Sequence, residues 1–267
     1  MPIFHILLVA VIQGITEFLP VSSSGHLILL PNLTALDDQG LAIDVAAHVG
    51  TLGAVMLYFW SDVRLALLGL PRALMGKRDT QGSKLAFLLI IATIPVIIAG
   101  LILKLTGLND ALRSTAVIGW TMLGFGIVLW WADQKGVNTK TEADWSTKDA
   151  WLLGIWQAVA LIPGTSRSGI TITGARFMGY ARSDAAKIAM LMSIPTIMAS
   201  GTLLGLDVAA QANTAMLRDM GLAAIFSFFA ALLALSLMMR LLKSVSFTPY
   251  VIYRVILGVV LLFIAYS

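Results

Sequence analysis

Residues 13–26 carry the sequence Gln-Gly-Ile-Thr-Glu-Phe-Leu-Pro-Val-Ser-Ser-Ser-Gly-His, which interrupts an otherwise apolar segment near the start of the chain. A second interruption, Pro-Gly-Thr-Ser-Arg-Ser-Gly at residues 163–169, divides the apolar stretch 151–178 in the same way. Each apolar half is too short to cross a bilayer comfortably. Proline with clustered serine and glycine would also leave backbone groups unpaired, which lipid does not tolerate. We therefore predict two re-entrant helix–loop–helix hairpins buried in protein, over residues 3–33 and 151–178.

The composition excludes a soluble globular enzyme. Of the 267 residues, 58% are hydrophobic and 12% are charged, whereas soluble domains average about 25% charged residues. Cysteine is absent, which excludes disulfides, a thiolate nucleophile and a cysteine metal site. Uninterrupted apolar runs predict six spanning helices, at residues 41–60, 85–105, 115–132, 188–206, 221–239 and 249–266. The predicted fold class is an all-α polytopic membrane protein with six spanning helices and two re-entrant hairpins.

Basic residues are unequally divided between the two sides of this layout. Thirteen of the eighteen Lys and Arg residues fall in loops that share one side, at 61–84, 133–149, 176–187 and 240–248. The opposite side holds three, Lys104, Arg113 and Arg218. Because cytoplasmic loops carry the excess of positive charge, we predict that the basic side is cytoplasmic and that both termini lie outside.

The two hairpins occupy matching positions in the chain. Gln13 precedes the first Ser/Gly loop, and Gln157 precedes the second with the same spacing. Three spans between the hairpins place them on opposite sides, which predicts an inverted-topology repeat within one membrane domain, 1–267. Repeat 1 covers about 1–132, a cytoplasmic linker covers 133–149, and repeat 2 covers about 150–267. Broken helices that meet in such repeats commonly build anion sites, although general similarity among apolar helices is an alternative explanation.

The hairpins contain side chains suited to phosphoryl transfer. An ionisable Glu17 in an apolar segment is a functional candidate, and Gln13 shares its helix face. His26 opens the returning half-helix, and Arg167 lies at another helix start, where a guanidinium and free N–H groups favour phosphate. We predict Glu17, His26 and Arg167 as catalytic residues, together with a hydroxyl of the loops. The predicted phosphate-binding residues line the same loops: Ser22, Ser24, Gly25, Thr165, Ser166, Ser168 and Gly169. A buried structural network and a proton relay in a transporter are the alternatives.

Other polar residues in apolar segments receive different interpretations. Asp44 and His48 lie four residues apart and could face the site, but we favour helix-end and core roles for them. Arg254, with Tyr250 and Tyr253 nearby in sequence, is interpreted as an interfacial anchor or structural group.

The stretches 13–26 and 163–169 resemble the paired signatures of the undecaprenyl-pyrophosphate phosphatase family, also called bacitracin-resistance proteins. The resemblance covers the whole chain. It implies a bacterial inner-membrane enzyme that hydrolyses undecaprenyl pyrophosphate to undecaprenyl phosphate and phosphate, with a site opening to the periplasm. It also implies a divalent cation, Mg²⁺ or Ca²⁺. The family has Glu or Gln at the first motif position, so Glu17 is expected to carry most of the cation binding here, with Gln13 as a second ligand.

The mechanistic hypothesis places the diphosphate between the hairpin tips. Arg167 holds the terminal phosphate, Ser23 attacks or positions water, and His26 acts as base, oriented by Glu17 or by a cation that Glu17 binds. A polyprenyl-phosphate flippase or an anion transporter using the same site is the rival function, and a purely structural membrane subunit is a third. The expected partners are undecaprenyl pyrophosphate and membrane lipid, without nucleic acid. A homodimer is an option that the sequence leaves open.

Overall fold

The computed structural model describes the chain except residues 35–37, 109–111, 113 and 210–212, so the predicted side for Arg113 lies outside the described residues. Regular structure over the described ranges is helical, with a short 3₁₀ turn at Glu142–Asp144. Eleven α-helices are present in these ranges: α1 Ile3–Phe18, α2 Ser23–Thr34, α3 Gly40–Tyr58, α4 Trp60–Leu74, α5 Gln81–Thr106, α6 Thr115–Lys135, α7 Thr147–Val159, α8 Arg167–Phe177, α9 Arg182–Ala209, α10 Thr214–Leu241 and α11 Thr248–Tyr266.

Six of these helices are long and apolar enough to cross a membrane, as predicted. They are α3, α5, α6, α9 over Arg182–Leu206, α10 and α11. Several begin before the apolar run because a polar residue caps the first turn. Thr80 accepts a hydrogen bond from the Ser83 backbone N–H at the start of α5, and Asn213 accepts one from the Met216 N–H at the start of α10. Apolar runs therefore locate a span but underestimate its length.

Helix α4 corrects the sequence prediction. Residues 61–84 were expected to form a loop, but Trp60–Leu74 is helical and packs against α5. The helix is amphipathic, since the small residues Gly69 and Ala73 are buried on one face while Arg64 is exposed. The charges of Asp62, Arg64 and Arg72 interrupt its apolar residues, so the segment resembled a connection. A charged amphipathic helix beside a span has no long apolar run to reveal it.

The two broken segments form helix pairs, which is consistent with the predicted re-entrant hairpins. Helix α1 ends at Phe18 and α2 begins at Ser23, while α7 ends at Val159 and α8 begins at Arg167. The second segment starts at Thr147, earlier than the predicted 151, because Ser146 caps α7. Each break ends on a serine in the left-handed backbone region, Ser22 at φ 70° and Ser166 at φ 69°. The two chain reversals therefore have matching local geometry.

Helix packing follows a paired pattern. Helix α1 packs against α10, and α7 packs against α5; α6 packs against α11, and α3 against α9. Exchanging the two predicted repeats converts the α1/α10 pair into the α7/α5 pair and maps the α6/α11 and α3/α9 pairs onto themselves. This pattern supports the inverted repeat, whose boundaries near residues 132 and 150 stay a prediction. The short helices of both hairpins are surrounded by longer ones, which brings their breaks together.

A buried ion-pair network fixes the linker region on the side opposite the start of α1. The Asp133 carboxylate, at the end of α6, accepts hydrogen bonds from Arg182 Nε at 2.7 Å and from the Phe247 N–H at 3.1 Å. Arg176 Nε lies 3.3 Å from the same carboxylate, and its Nη2 donates to the backbone carbonyls of Asp133 and Gly136. We call Asp133, Arg176, Arg182 and Phe247 the linker network. It holds three connecting segments to one another.

Candidate active site between the hairpin tips

The two hairpins meet through an ion pair. Glu17 lies in the last turn of α1, and its Oε1 accepts a hydrogen bond from Nη2 of Arg167, the first residue of α8. The other guanidinium nitrogen, Nη1, donates to the Ser193 carbonyl at 3.1 Å. The exposed fraction is 7% for the Glu17 side chain and 16% for Arg167. Two predicted site residues that are 150 positions apart in sequence are thus in direct contact.

The second oxygen of Glu17 faces a different set of polar groups. Gln13 Nε2 donates to Glu17 Oε2 at 2.7 Å, and Ser23 Oγ donates to it at 3.3 Å. His48 Nε2, from α3, lies 3.7 Å from the same oxygen and 3.1 Å from Gln13 Nε2. The carboxylate therefore has two sides. One side holds a guanidinium, and the other faces an amide, a hydroxyl and an imidazole.

The predicted phosphate-binding serines also join the two loops. Ser24 Oγ accepts from the Gly164 N–H at 3.2 Å, and Ser168 Oγ donates to the Leu19 carbonyl at 3.0 Å. Within each loop, the hydroxyls of Ser22 and Ser24 lie 3.1 Å apart, and those of Ser166 and Ser168 lie 3.2 Å apart. Each tip thus contributes a hydroxyl to the other. These bonds fix the relative position of the two hairpins.

The remaining predicted loop residues contribute through the backbone or through small size. The N–H of Gly169 donates to Ser166 Oγ at 3.2 Å, which caps α8 and occupies a group that was expected to face phosphate. Thr165 is fully buried, and its hydroxyl has no hydrogen-bond partner among the described residues. A Cβ at Gly25 would lie 2.6 Å from Met122 Sδ, so this position allows α2 to approach α6 closely.

His26 is oriented by groups other than Glu17. Its Nδ1 lies 2.7 Å from the Ser22 carbonyl, and its Nε2 lies 2.6 Å from the hydroxyl of Tyr253. A carbonyl only accepts hydrogen bonds, so Nδ1 carries the proton and Nε2 accepts from Tyr253. The two rings are stacked, with centroids 5.5 Å apart. In the described residues no hydrogen bond joins His26 to Glu17 or Ser23, so direct orientation by Glu17 is not observed.

Of the two roles that the sequence allowed for Arg254, interfacial anchor or structural group, the structure shows the structural one. Its side chain is completely buried, and it donates to the carbonyls of Thr165 at 2.9 Å, Gly164 at 3.2 Å and Pro20 at 3.4 Å. One guanidinium from α11 thus holds both hairpin tips, which is a structural role. A charged residue inside an apolar span was the available signal that it faces the interior of the bundle.

His48 corrects a second expectation, because it faces the site rather than a core. Its side chain is 37% exposed, and it contacts the Gln13 amide from α3. Its Nδ1 lies 2.8 Å from the Asp44 carbonyl, so the four-residue spacing to Asp44 reflects a bond within the helix. The sequence did not show which face of α3 packs on α1. That packing brings His48 to the hairpin.

The Glu17 side of the site fits a divalent cation in part. Gln13 is almost fully buried, and its Oε1 atom has no hydrogen-bond partner within the part of the chain that the structure describes. This leaves an oxygen of the kind that Mg²⁺ and Ca²⁺ prefer beside a carboxylate. Within the described ranges, no group of three or more His, Cys, Asp or Glu residues could hold a metal ion. A cation here would therefore depend on amide or hydroxyl oxygens and on substrate.

An apolar groove runs from the hairpin tip along α10. Its volume is about 580 Å³, and it is lined almost entirely by hydrocarbon. Ile15 and Leu19 line this groove, and Leu19 directly precedes the break, where its carbonyl contacts Ser168. Phe226 and Leu233 of α10 form the wall. A polar site and an apolar groove are thus adjacent.

Comparisons with known proteins identify relatives over the full length. The bacitracin resistance protein BacA family matches residues 6–260. The chain is 70% identical to an undecaprenyl-diphosphatase of Ruegeria pomeroyi and 68% identical to one of Jannaschia sp., in both cases over the whole of each chain. An undecaprenyl-diphosphatase 1 of Rhodospirillum rubrum is 45% identical over all of this chain and 96% of its own length. With its Glu17–Arg167 site and full-length similarity, the chain belongs to the bacitracin resistance protein BacA family.

Proposed function

We propose that this protein is an integral-membrane phosphatase that hydrolyses undecaprenyl pyrophosphate to undecaprenyl phosphate and phosphate, recycling the cell-wall lipid carrier. The observation that carries the proposal is the contact between Glu17 and Arg167, from opposite hairpins and both largely buried. Relatives up to 70% identical over the whole chain bear the name undecaprenyl-diphosphatase. An arginine at a helix start beside several hydroxyls is suited to a pyrophosphate group.

Arg167 binds the terminal phosphate in this mechanism. Its Nη2 now contacts Glu17, so a phosphate oxygen shares or takes over that contact while Nη1 stays on the Ser193 carbonyl. The guanidinium then offsets the negative charge that develops as the bond to the bridging oxygen breaks. Undecaprenyl phosphate is the leaving group, and the terminal phosphoryl passes to water or first to a hydroxyl.

Ser23 is the candidate for attack or for positioning of water. Its hydroxyl donates to Glu17 Oε2, which favours Glu17 rather than His26 as the acceptor of its proton. His26 has its lone pair on Nε2, facing Tyr253, and it can accept a proton there once that hydroxyl gives way. Carboxylate and imidazole thus offer separate proton acceptors. The covalent and direct-water routes both use this arrangement.

A divalent cation, Mg²⁺ or Ca²⁺, is part of the proposal. Glu17 Oε2 and the unpartnered Gln13 Oε1 are the protein oxygens that would hold it. When bound, the cation would neutralise charge on the phosphate oxygens. A single carboxylate that already pairs with Arg167 leaves most of the coordination to substrate and water.

The protein is a multi-span membrane protein, and we infer that its membrane is the bacterial inner membrane. The excess of basic residues on the linker side supports a cytoplasmic location for that side, with both termini periplasmic. The first hairpin then enters from the periplasm, and the site opens there.

The groove beside Leu19 is suited to an isoprenoid chain while the diphosphate occupies the polar site. The mass of the purified protein in detergent distinguishes a monomer from a homodimer.

Phosphate release by purified protein in detergent tests the function. A detergent micelle has no compartments, so an enzyme releases phosphate from a prenyl pyrophosphate there, and a flippase or anion transporter does not. We expect release that depends on a divalent cation and stops when Glu17 is replaced by Gln. Tight substrate binding without phosphate release would contradict the proposal and favour a carrier.

A further inference from the structure

We propose that the outer face of α4 binds anionic phospholipids and holds this helix in the membrane interface on the linker side. The inference concerns a surface separate from the candidate active site and goes beyond the proposed function. With 3.6 residues per helical turn, residues at intervals of three, four and seven lie on one side of a helix. The outer face consists of exposed residues at these intervals along α4 and its C-terminal cap: Trp60, Arg64, Leu67, Leu68, Leu74 and Met75.

The inner face of α4 packs against α5, whereas the outer face has no such cover. Gly69 and Ala73 are buried, and a Cβ at Gly69 would lie 2.1 Å from the Gly82 backbone, so the two helices are in close contact there. On the outer face, Leu68 and Leu74 are 70% and 72% exposed. The residues that the structure describes therefore leave one apolar stripe of α4 uncovered.

The start of α4 lies at the boundary of the bilayer. Phe59 alone separates it from the spanning helix α3, and the exposed residues Tyr58 and Trp60 flank that junction. Exposed tyrosine and tryptophan at the end of a span are typical of the interface between lipid and water. The outer face thus begins at the level of the headgroups.

Length and charge prevent α4 from being a further span. Its 15 residues correspond to about 22 Å of helix, whereas the hydrocarbon layer of a bilayer is about 30 Å thick. Arg64 and Arg72 add charge, and the helix is absent from the six that are long and apolar enough to cross. A helix with an apolar stripe and basic residues is typical of helices that lie in the plane of the interface.

The acidic residues beside the outer face are neutralised within the protein. Asp62 pairs with Lys187 at 3.0 Å, and Lys187 also contacts Glu142 of the linker, which places α4 on the linker side. Asp79, in the connection to α5, pairs with Arg72.

Basic charge therefore remains on this surface. Among the described residues, no ion pair is formed by the other basic residues of the segment 60–80, which are Arg64, Lys77 and Arg78. Basic residues near the headgroups attract anionic lipid, and the surface potential of the cytoplasmic leaflet is negative. The proposed topology places α4 at that leaflet. The charge of the segment thus favours anionic over neutral lipid.

Arg64 favours a lipid rather than a second copy of the chain as the occupant. In an apolar interface between two copies, its guanidinium would be buried without a counter-charge, since the nearby acidic residues are already paired. At a membrane surface, phosphate groups supply that counter-charge, while the stem of the arginine and the neighbouring leucines stay in the apolar layer. The outer face is therefore suited to an anionic lipid surface.

Spin labels on the outer face test this placement. The chain has no cysteine, so Leu68→Cys and Leu74→Cys each accept a single nitroxide in the full-length protein. The labelled proteins would be reconstituted into vesicles of phosphatidylcholine, with and without phosphatidylglycerol. Electron paramagnetic resonance then measures the accessibility of each label to oxygen and to a water-soluble nickel chelate. We expect both labels to be more accessible to oxygen, as groups in lipid are, and more strongly so with phosphatidylglycerol.

Two further labels calibrate the measurement. Ile98→Cys in α5, where the side chain is 51% exposed, is the lipid control, and Val137→Cys in the linker, where it is 68% exposed, is the aqueous control. Labels at 68 and 74 that are as accessible to the chelate as the label at 137 would overturn the inference. Protection from both reagents would also overturn it, because a protein partner such as a second copy would then cover the face.

The double variant Arg64→Gln/Lys77→Gln tests the preference for anionic lipid. Phosphatidylglycerol added to the purified protein in detergent should raise the Tm. The double variant should need about tenfold more of this lipid for the same increase, because two of the three unpaired charges are removed. Lys104→Gln, which removes an exposed lysine on the opposite side of the protein, is the matched control and should respond like the unmodified protein. An equal response of the two variants to phosphatidylglycerol would overturn the inference.

Discussion

Two buried carboxylates in this protein each pair with arginine, yet their surroundings differ. In the linker network, Asp133 is fully buried, and its carboxylate contacts Arg176, Arg182 and the Phe247 N–H, all fixed protein groups. Glu17 also contacts an arginine, but its second oxygen faces the Gln13 amide, the Ser23 hydroxyl and the His48 imidazole. The comparison indicates that a buried ion pair does not by itself identify a functional site. The polar groups beside the pair, a hydroxyl and an imidazole suited to proton transfer, distinguish the site at Glu17.

The largest effect is expected for Arg167→Ala. Arginines that stabilise a transferring phosphoryl group contribute about 10³- to 10⁵-fold to the rate, so kcat/KM for phosphate release should fall by at least about 10³-fold. The fold should persist, because Arg254 and the loop hydroxyls still hold the tips together. Phosphate release and thermal unfolding in detergent measure the two quantities. Near-normal release would refute the phosphate-binding role.

Asp133→Asn should show the opposite pattern. Removing one partner of a buried ion pair leaves the other buried charges without a counter-charge, which costs about 3–5 kcal/mol of folding free energy. The Tm in detergent should fall, while kcat of the molecules that remain folded should stay close to that of the unmodified protein. Unchanged Tm together with lost activity would mean that the linker network takes part in catalysis, and the contrast with Glu17 would fail.

Ser23→Ala should be less severe than Arg167→Ala. Loss of the hydroxyl that donates to Glu17 is expected to lower kcat by about 10²-fold, a typical contribution of a positioned catalytic group. Ser24→Ala is the matched neighbour, since Ser24 bonds Gly164 rather than Glu17, and it should lose less activity. Labelled substrate then separates the routes. Label retained on the protein identifies a serine nucleophile, and none retained, with activity surviving in Ser23→Ala, excludes one.

The smallest effect is expected for Tyr253→Phe. This change removes one hydrogen bond to His26 Nε2 and preserves the stacked ring. A single hydrogen bond contributes about 0.5–1.5 kcal/mol net to stability, so Tm should fall by no more than a few degrees, and kcat should change by no more than about tenfold. A loss as large as that of Arg167→Ala would show that Tyr253 takes part directly in the chemistry.

Much of the fold could be predicted because lipid restricts the choices. Long apolar runs locate the six spans, and a proline with clustered serines cannot continue a helix through a bilayer. Helix α4 was missed because an amphipathic helix with charged residues contains no long apolar run. Helix ends were also placed imprecisely, since capping by residues such as Thr80 extends a helix beyond its apolar run.

The site was partly predictable for the same reason. Glu17 and Arg167 stand out as charges within apolar segments, and the repeated loops indicated that they could meet. His48 did not stand out, because its position at the site depends on how α3 packs against α1. Tyr253 and Arg254 come to the loops through the packing of α11 on α6. Contacts between helices depend on how the helices pack against one another. The spacing of residues along one helix does not reveal that packing.

A double-variant cycle tests most directly whether the two hairpins form one catalytic site. Glu17→Gln, Arg167→Gln and the double variant would be compared by kcat/KM for phosphate release in detergent, with folding checked by Tm. Residues that act as a unit are strongly non-additive, so we predict that the double variant is about as impaired as the worse single variant. Two losses that simply multiply would show that Glu17 and Arg167 act independently, and would contradict a shared site.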